Sequence, residues 1–171
     1  MTSASSLTQA SARARSGTSV PAISIRGLRK DFGSVQAVRG IDLEIEAGEI
    51  VAFLGPNGAG KTTTIDMVLG LSQPTAGEVS IFGEAPRTAI AHGLVAAVMQ
   101  TAGLLKDISV RETLQLTGSL FTHTASVDSV MTRAGLTEIA DRRVQKCSRG
   151  QQQRLRSAMA LLADPELLIL D

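Results

Sequence analysis

The chain has 171 residues, enough for one domain or a little more with a core of its own. Its composition, 43% hydrophobic and 19% charged, is that of an ordinary globular protein, and a net charge of +1 gives no general attraction to nucleic acid or anionic lipid. The single cysteine excludes an internal disulfide framework, no apolar run approaches the roughly 18 residues of a membrane-spanning helix, and with no Trp, no Tyr and four Phe, stacking platforms for bases are scarce.

Residues 1–20 are rich in Ser, Ala and Thr, carry Arg13 and Arg15 and hold no acid. A transit peptide has similar composition, but a disordered extension is the expectation, because nothing here buries enough surface to order the chain. "AISIRGL" (22–28), "SVQAV" (34–38) and "IDLEIE" (41–46) alternate apolar and polar, which predicts three strands of a small antiparallel sheet. Ala47-Gly48-Glu49 predicts a turn, and "IVAFL" (50–54) a strand buried on both faces. "KTTTIDMVLGL" has helical apolar spacing, with Gly70 near its stop. "SQPTAGEVSIFG" (72–83) predicts a turn and a short strand, and "LVAAVMQ" (94–100) another strand. Residues 106–140 read as mostly helical, opening on Ser109 with Glu112 three residues on. A helix from Ser148 to about Ala163 stops at Asp164-Pro165, and "LLIL" (167–170) is a last strand, expected to be central and covered on both sides. Strands alternating with helices predict an α/β fold with a parallel sheet, an antiparallel β start and a helical insert at about 105–150.

Chemistry concentrates in "GPNGAGKTTT" (55–64), directly after the apolar run. Gly55, four residues, then Gly60-Lys61-Thr62 is the phosphate-loop spacing. Phosphate oxygens are large and charged, and side chains would hold the backbone away from them, so glycine stands where amides must turn inward. The following helix presents unsatisfied N–H groups and its positive dipole end to the same anion. Lys61 reaches the β- and γ-phosphates as a compact charge, and the Thr62 hydroxyl is a ligand for Mg²⁺. The loop alone says nucleoside triphosphate and no more.

Residues 147–154, "CSRGQQQR", followed by "ADPELLILD", narrow the family. This order resembles the ATP-binding cassette (ABC) family over the stretch from about Ile23 to Asp171. "GPNGAGKTT", residues Gly55, Pro56, Asn57, Gly58, Ala59, Gly60, Lys61, Thr62 and Thr63, resembles its Walker A loop; "LLILD" resembles its Walker B strand, and Met99-Gln100 its Q-loop. "CSRGQ" resembles the signature Leu-Ser-Gly-Gly-Gln, matching at Ser148, Gly150 and Gln151 and departing at Cys147 and Arg149. The resemblance implies a P-loop core that binds ATP and Mg²⁺. Phe32 then stacks on adenine, Asp171 orients Mg²⁺ with Thr62, and Gln100 senses the metal or γ-phosphate and relays that state to the helical insert. Ser148, Arg149, Gly150 and Gln151 cap the γ-phosphate held by a second cassette. Most have a plainer alternative: Phe32 as a small-core residue, Gln100 on the surface, Asp171 as a strand-terminal acid and Ser148 as a simple helix cap. Arg149, at a normally small position, is expected to point into solvent, the alternative being added positive charge at the interface. His92, His123 and Cys147 sit at no ligand spacing.

The family carries a glutamate directly after the Walker B aspartate, and later a dimer-contacting loop and a switch histidine. The sequence stops at Asp171, so the resemblance implies an incomplete domain, 21–171, that binds nucleotide but turns it over poorly. It also implies a membrane permease and a second cassette as partners, no nucleic acid, and a cytoplasmic place on the inner face of the cell membrane. The phrases "GEIVAFLGPNGAGKTTTIDMVLGL", "PTAGEVSIFG" and "VMQTAGLLKDISVRETL" resemble bacterial drug and antibiotic exporter ATPases. A soluble ABC ATPase acting on nucleic acid or ribosomes is the alternative. A small P-loop kinase leaves "CSRGQ" unexplained.

Overall fold

The computed structural model of the chain describes residues 20–99, 103–121 and 123–170. It divides into two compact units, one up to Pro86 and one from Arg87. The first is built on an antiparallel sheet in which β1 (Ile23–Phe32) lies between β2 (Val35–Ile45) and β3 (Ala76–Ile81). Alternation on β1 buries Ile23 and Ile25, and Leu28 is fully enclosed, a side chain whose burial contributes about 1.5–3 kcal/mol. The helix α1 (Lys61–Val68) packs on β2 and β3 and buries Thr64, Met67 and Val68. It ends as its sequence predicts, with Gly70 at φ 62 just beyond it.

The two strands expected at 34–38 and 41–46 are one strand, β2. The pairing carries the chain through by compensating bulges: Leu28 faces Ile41 while Arg29 faces Arg39, so Gly40 has no partner across the ladder. On β1 the extra residue falls between Ile25 and Leu28, and the Gly27 amide it frees donates to Asp42 Oδ1 at 2.7 Å. A side chain thus replaces the ladder bond that the bulge removes.

A larger correction concerns residues 50–54. They are not a strand, they belong to neither sheet among the described residues, and Ile50 is 102% exposed and Leu54 78%. An apolar run supplies faces to bury, but a strand also needs a neighbour to complete its backbone hydrogen bonds. The first unit's sheet places no ladder partner beside this run. The turn before it is as expected, with Gly48 at φ 82 and the Glu49 amide donating to the Glu46 carbonyl at 3.2 Å.

In the second unit β4 (Val95–Val98) pairs in parallel with β5 (Leu167–Leu170), Val95 opposite Leu167 and Val98 opposite Leu170. A short helix, α2 (Pro86–Ala91), precedes β4; its first residue is a proline, at the position where a missing N–H costs nothing. Three further helices, α3 (Val110–Gly118), α4 (Val127–Arg133) and α5 (Arg149–Leu161), enclose a core of Val110, Leu114, Val130, Met131, Leu136, Val144, Leu155 and Leu162. β5 is not covered on both faces: Leu168 and Leu170 are 39% and 67% exposed. Among the described residues it pairs on one side only, with β4.

Candidate functional site

The loop 55–60 leads into α1 through Gly60, which sits at φ 82. A Cβ there would lie 2.4 Å from the Ala37 carbonyl oxygen and 3.1 Å from Val38 Cγ2, so both its backbone angle and the approach of β2 require glycine. Gly58 shares the positive φ, at 83, but has open space around it. Within the loop the Ala59 amide donates to the Pro56 carbonyl at 3.2 Å. The loop is closed by Lys61, whose Nζ donates to the carbonyls of Gly55 at 2.6 Å and Pro56 at 2.9 Å. Thr64 ties the first helical turn, donating from its amide and its hydroxyl to the Gly60 carbonyl at 2.8 and 2.9 Å.

Among the described residues the amides of Asn57, Gly58, Gly60, Thr62 and Thr63 have no acceptor. Most of this loop is exposed, Thr62 included, and the Thr62 hydroxyl has no partner among the described residues. Unpaired amides at a helix start, a lysine ammonium and a free hydroxyl oxygen together fit a phosphate chain and a hard cation. They are the groups such a ligand needs, and they lie within one run of nine residues, 55–63.

Phe32 ends β1 and is 55% exposed, which removes the small-core alternative; the Lys30 ammonium lies 5.0 Å from its ring centroid and donates to the Gln73 carbonyl at 2.6 Å. The lysine over the ring is a neighbour that the sequence does not reveal, although Lys30 and Phe32 share a strand face by alternation. Gln100 and Asp171 lie outside the described residues.

In the second unit Ser148 caps α5. Its Oγ accepts from the Gln151 amide at 3.2 Å, and its own amide donates to Gln151 Oε1 at 2.8 Å, a reciprocal capping box. The spacing Ser148-x-x-Gln151 carries this signal in the sequence. Gln152 adds what the spacing does not show: its Nε2 donates to the Cys147 carbonyl at 3.1 Å. Cys147 is buried in the helical core, so a small apolar side chain serves where the signature has leucine. Arg149 is exposed and has no partner among the described residues, in keeping with the expectation that it points into solvent. A second box starts α3, where Ser109 Oγ accepts from the Glu112 amide at 3.1 Å and the Ser109 amide donates to Glu112 Oε2 at 2.7 Å. The Ser109 amide and hydroxyl hold the Glu112 carboxyl below its ordinary value.

The family model described as ABC transporter matches residues 38–171. The chain is 39% identical over 159 residues to the Nod factor export ATP-binding protein I of Burkholderia lata, covering 89% of this chain and 52% of that protein. It is 39% identical to the bacitracin transport ATP-binding protein BcrA of Bacillus licheniformis, over 84% of this chain and 48% of that one. It is 36% identical to the sulfate/thiosulfate import ATP-binding protein CysA of Synechococcus elongatus, over 87% and 45%. Among solved structures, cbiO1 of Clostridium perfringens, part of the ABC transporter complex cbiONQ, superposes with a TM-score of 0.77 at 25% identity, covering 88% of this chain and 65% of that one. The chain spans about half the length of these curated relatives.

Proposed function

The chain belongs to the ABC transporter family, and from that premise we infer that it supplies the ATP-binding part of a transporter. Residues 55–63 hold the triphosphate of ATP, with Phe32 against the adenine. The observation that carries this is the loop itself: the amides of Asn57, Gly58, Gly60, Thr62 and Thr63, without acceptors among the described residues, and the closing ammonium of Lys61. Bound phosphate accepts from those amides at the positive end of α1, and Lys61 adds a compact charge while keeping the loop closed.

Thr62, Gln100 and Asp171 would supply the oxygen ligands for Mg²⁺, which would neutralise charge on the phosphate oxygens. Ser148, Gly150 and Gln151 then face the γ-phosphate on a second cassette, with Arg149 beside them. Two cassettes closing on ATP and parting after hydrolysis drive a membrane permease, from a cytoplasmic position on the inner face of the membrane. Export is the direction we infer, supported by the two relatives at 39% identity, one named for export and one for bacitracin transport. CysA, named for import, is nearly as similar, and measuring the direction of cargo movement separates the two.

The test is purification of the full-length protein from its own membranes, followed by transport with Lys61→Ala. A membrane permease is expected to travel with it, and the variant is expected to transport nothing. Ribosomes or DNA in place of a permease, or normal transport by the variant, contradicts this function.

A further inference from the structure

The peptide joining Cys147 to Ser148 is held through both of its polar groups by the helix it precedes. Its carbonyl accepts from Gln152 Nε2 at 3.1 Å, and its amide donates to Gln151 Oε1 at 2.8 Å. Gln152 Nε2 also reaches the Val144 carbonyl, at 3.4 Å. Two consecutive glutamine side chains therefore fix one peptide plane, the one from which Ser148 departs at φ −63 and ψ 163.

The groups left over are rich in donors. A serine hydroxyl has one O–H and two lone pairs; the Gln151 amide uses one lone pair of Ser148 Oγ and leaves the O–H and the other lone pair. The amides of Arg149 and Gly150, the first two of α5, have no acceptor among the described residues. Ser148, Arg149 and Gly150 are exposed, whereas Gln152 is half-buried. Gln152 thus braces the exposed donor set without itself being the outermost group.

We propose that Gln152 is a positioning residue: it holds the Cys147–Ser148 peptide so that the Ser148 hydroxyl meets the γ-phosphate of ATP bound to a second copy. This rests on the function proposed above for residues 148–151. Nucleotide capping across a dimer depends on where the hydroxyl stands, and a small displacement of such a group costs far more in turnover than in ground-state binding. Removing the Gln152 amide frees the Cys147 carbonyl and lets the peptide rock, while leaving the hydroxyl and the phosphate loop intact.

The experiment compares Gln152→Leu, Gln152→Glu and Ser148→Ala in the full-length chain. It measures kcat for ATP, the affinity of residues 55–63 for a fluorescent ATP analogue, and hydrogen exchange at the Ser148 and Arg149 amides. Either Gln152 variant is expected to lower kcat by roughly tenfold, to leave analogue affinity within about twofold, and to speed exchange at those amides. Glutamate keeps length and polarity but lacks the donor, so it decides the matter where leucine fails to fold. The proposal is overturned if Ser148→Ala lowers kcat and neither Gln152 variant does. It is also overturned if kcat and analogue affinity fall together, as a merely structural role requires. If kcat is unmoved by Ser148→Ala as well, the function assigned to residues 148–151 fails and takes the proposal with it.

Discussion

Gly58 and Gly60 share a left-handed backbone angle, and their surroundings separate what each contributes. At Gly58 an alanine meets only the backbone cost, about 1–2 kcal/mol. At Gly60 it also drives a methyl to 2.4 Å from the Ala37 carbonyl, so either α1 or β2 must move. Gly60→Ala is therefore expected to cost at least about 2 kcal/mol more than Gly58→Ala, read as the difference in urea midpoint between the two variants. Equal midpoints contradict the close approach. The glycine spacing of the loop was legible in the sequence because phosphate chemistry demands it. The pressure of Ala37 on Gly60 was not, because it depends on where β2 lies. Phe32 shows the same division: its place after "LRKD" is readable, but its exposure and the Lys30 ammonium above it come from the strand's partners.

Helix starts were the most legible elements, because a cap is a local bargain between residues three apart. The Ser109–Glu112 pair predicts α3, and the structure closes both bonds of the box. It also gives a pH dependence of definite sign. Glu112 is held below its ordinary value of 4.5, first by the Ser109 backbone amide and then by the Ser109 hydroxyl. A carboxyl held lower in the folded state stabilises the fold above its unfolded value and loses that contribution as pH falls through the folded value. Stability should drop on acidification below about 4.5, and Glu112→Gln, which keeps an acceptor in the box but cannot titrate, should flatten that part of the urea-midpoint profile. An unchanged acid limb in the variant contradicts the assignment. Strands were less legible. β1 and β3 follow from alternation and turns, but β2 joins two predicted strands through a bulge at Gly40, which breaks the very alternation used to find them. Residues 50–54 have the composition of a buried strand but no ladder among the described residues, since hydrogen-bonded partners are not written in the run itself.

Across the whole molecule, large apolar side chains remain in contact with water in both units. Ile50 and Leu54 are in the first, and Leu168 and Leu170, on one face of β5, are in the second. Exposed apolar surface beside an open strand edge favours association. The 171-residue chain is expected to bind a hydrophobic dye in its native state and to associate as concentration rises. Replacing Ile50 and Leu170 with threonine should reduce both, as followed by dye fluorescence and light scattering. A monodisperse chain that binds no dye, with a sharp unfolding transition at high temperature, contradicts this picture. The central claim is that the amides of Asn57, Gly58, Gly60, Thr62 and Thr63 and the ammonium of Lys61 grip the phosphates of ATP. Titration calorimetry of the full-length chain with ATP, with and without Mg²⁺, tests it most directly. Binding should need Mg²⁺ for full strength and weaken by about tenfold or more in Lys61→Ala, the loss of one hydrogen-bonded charge. Equal affinity in the variant, or no ATP binding by the folded wild-type chain, contradicts the claim.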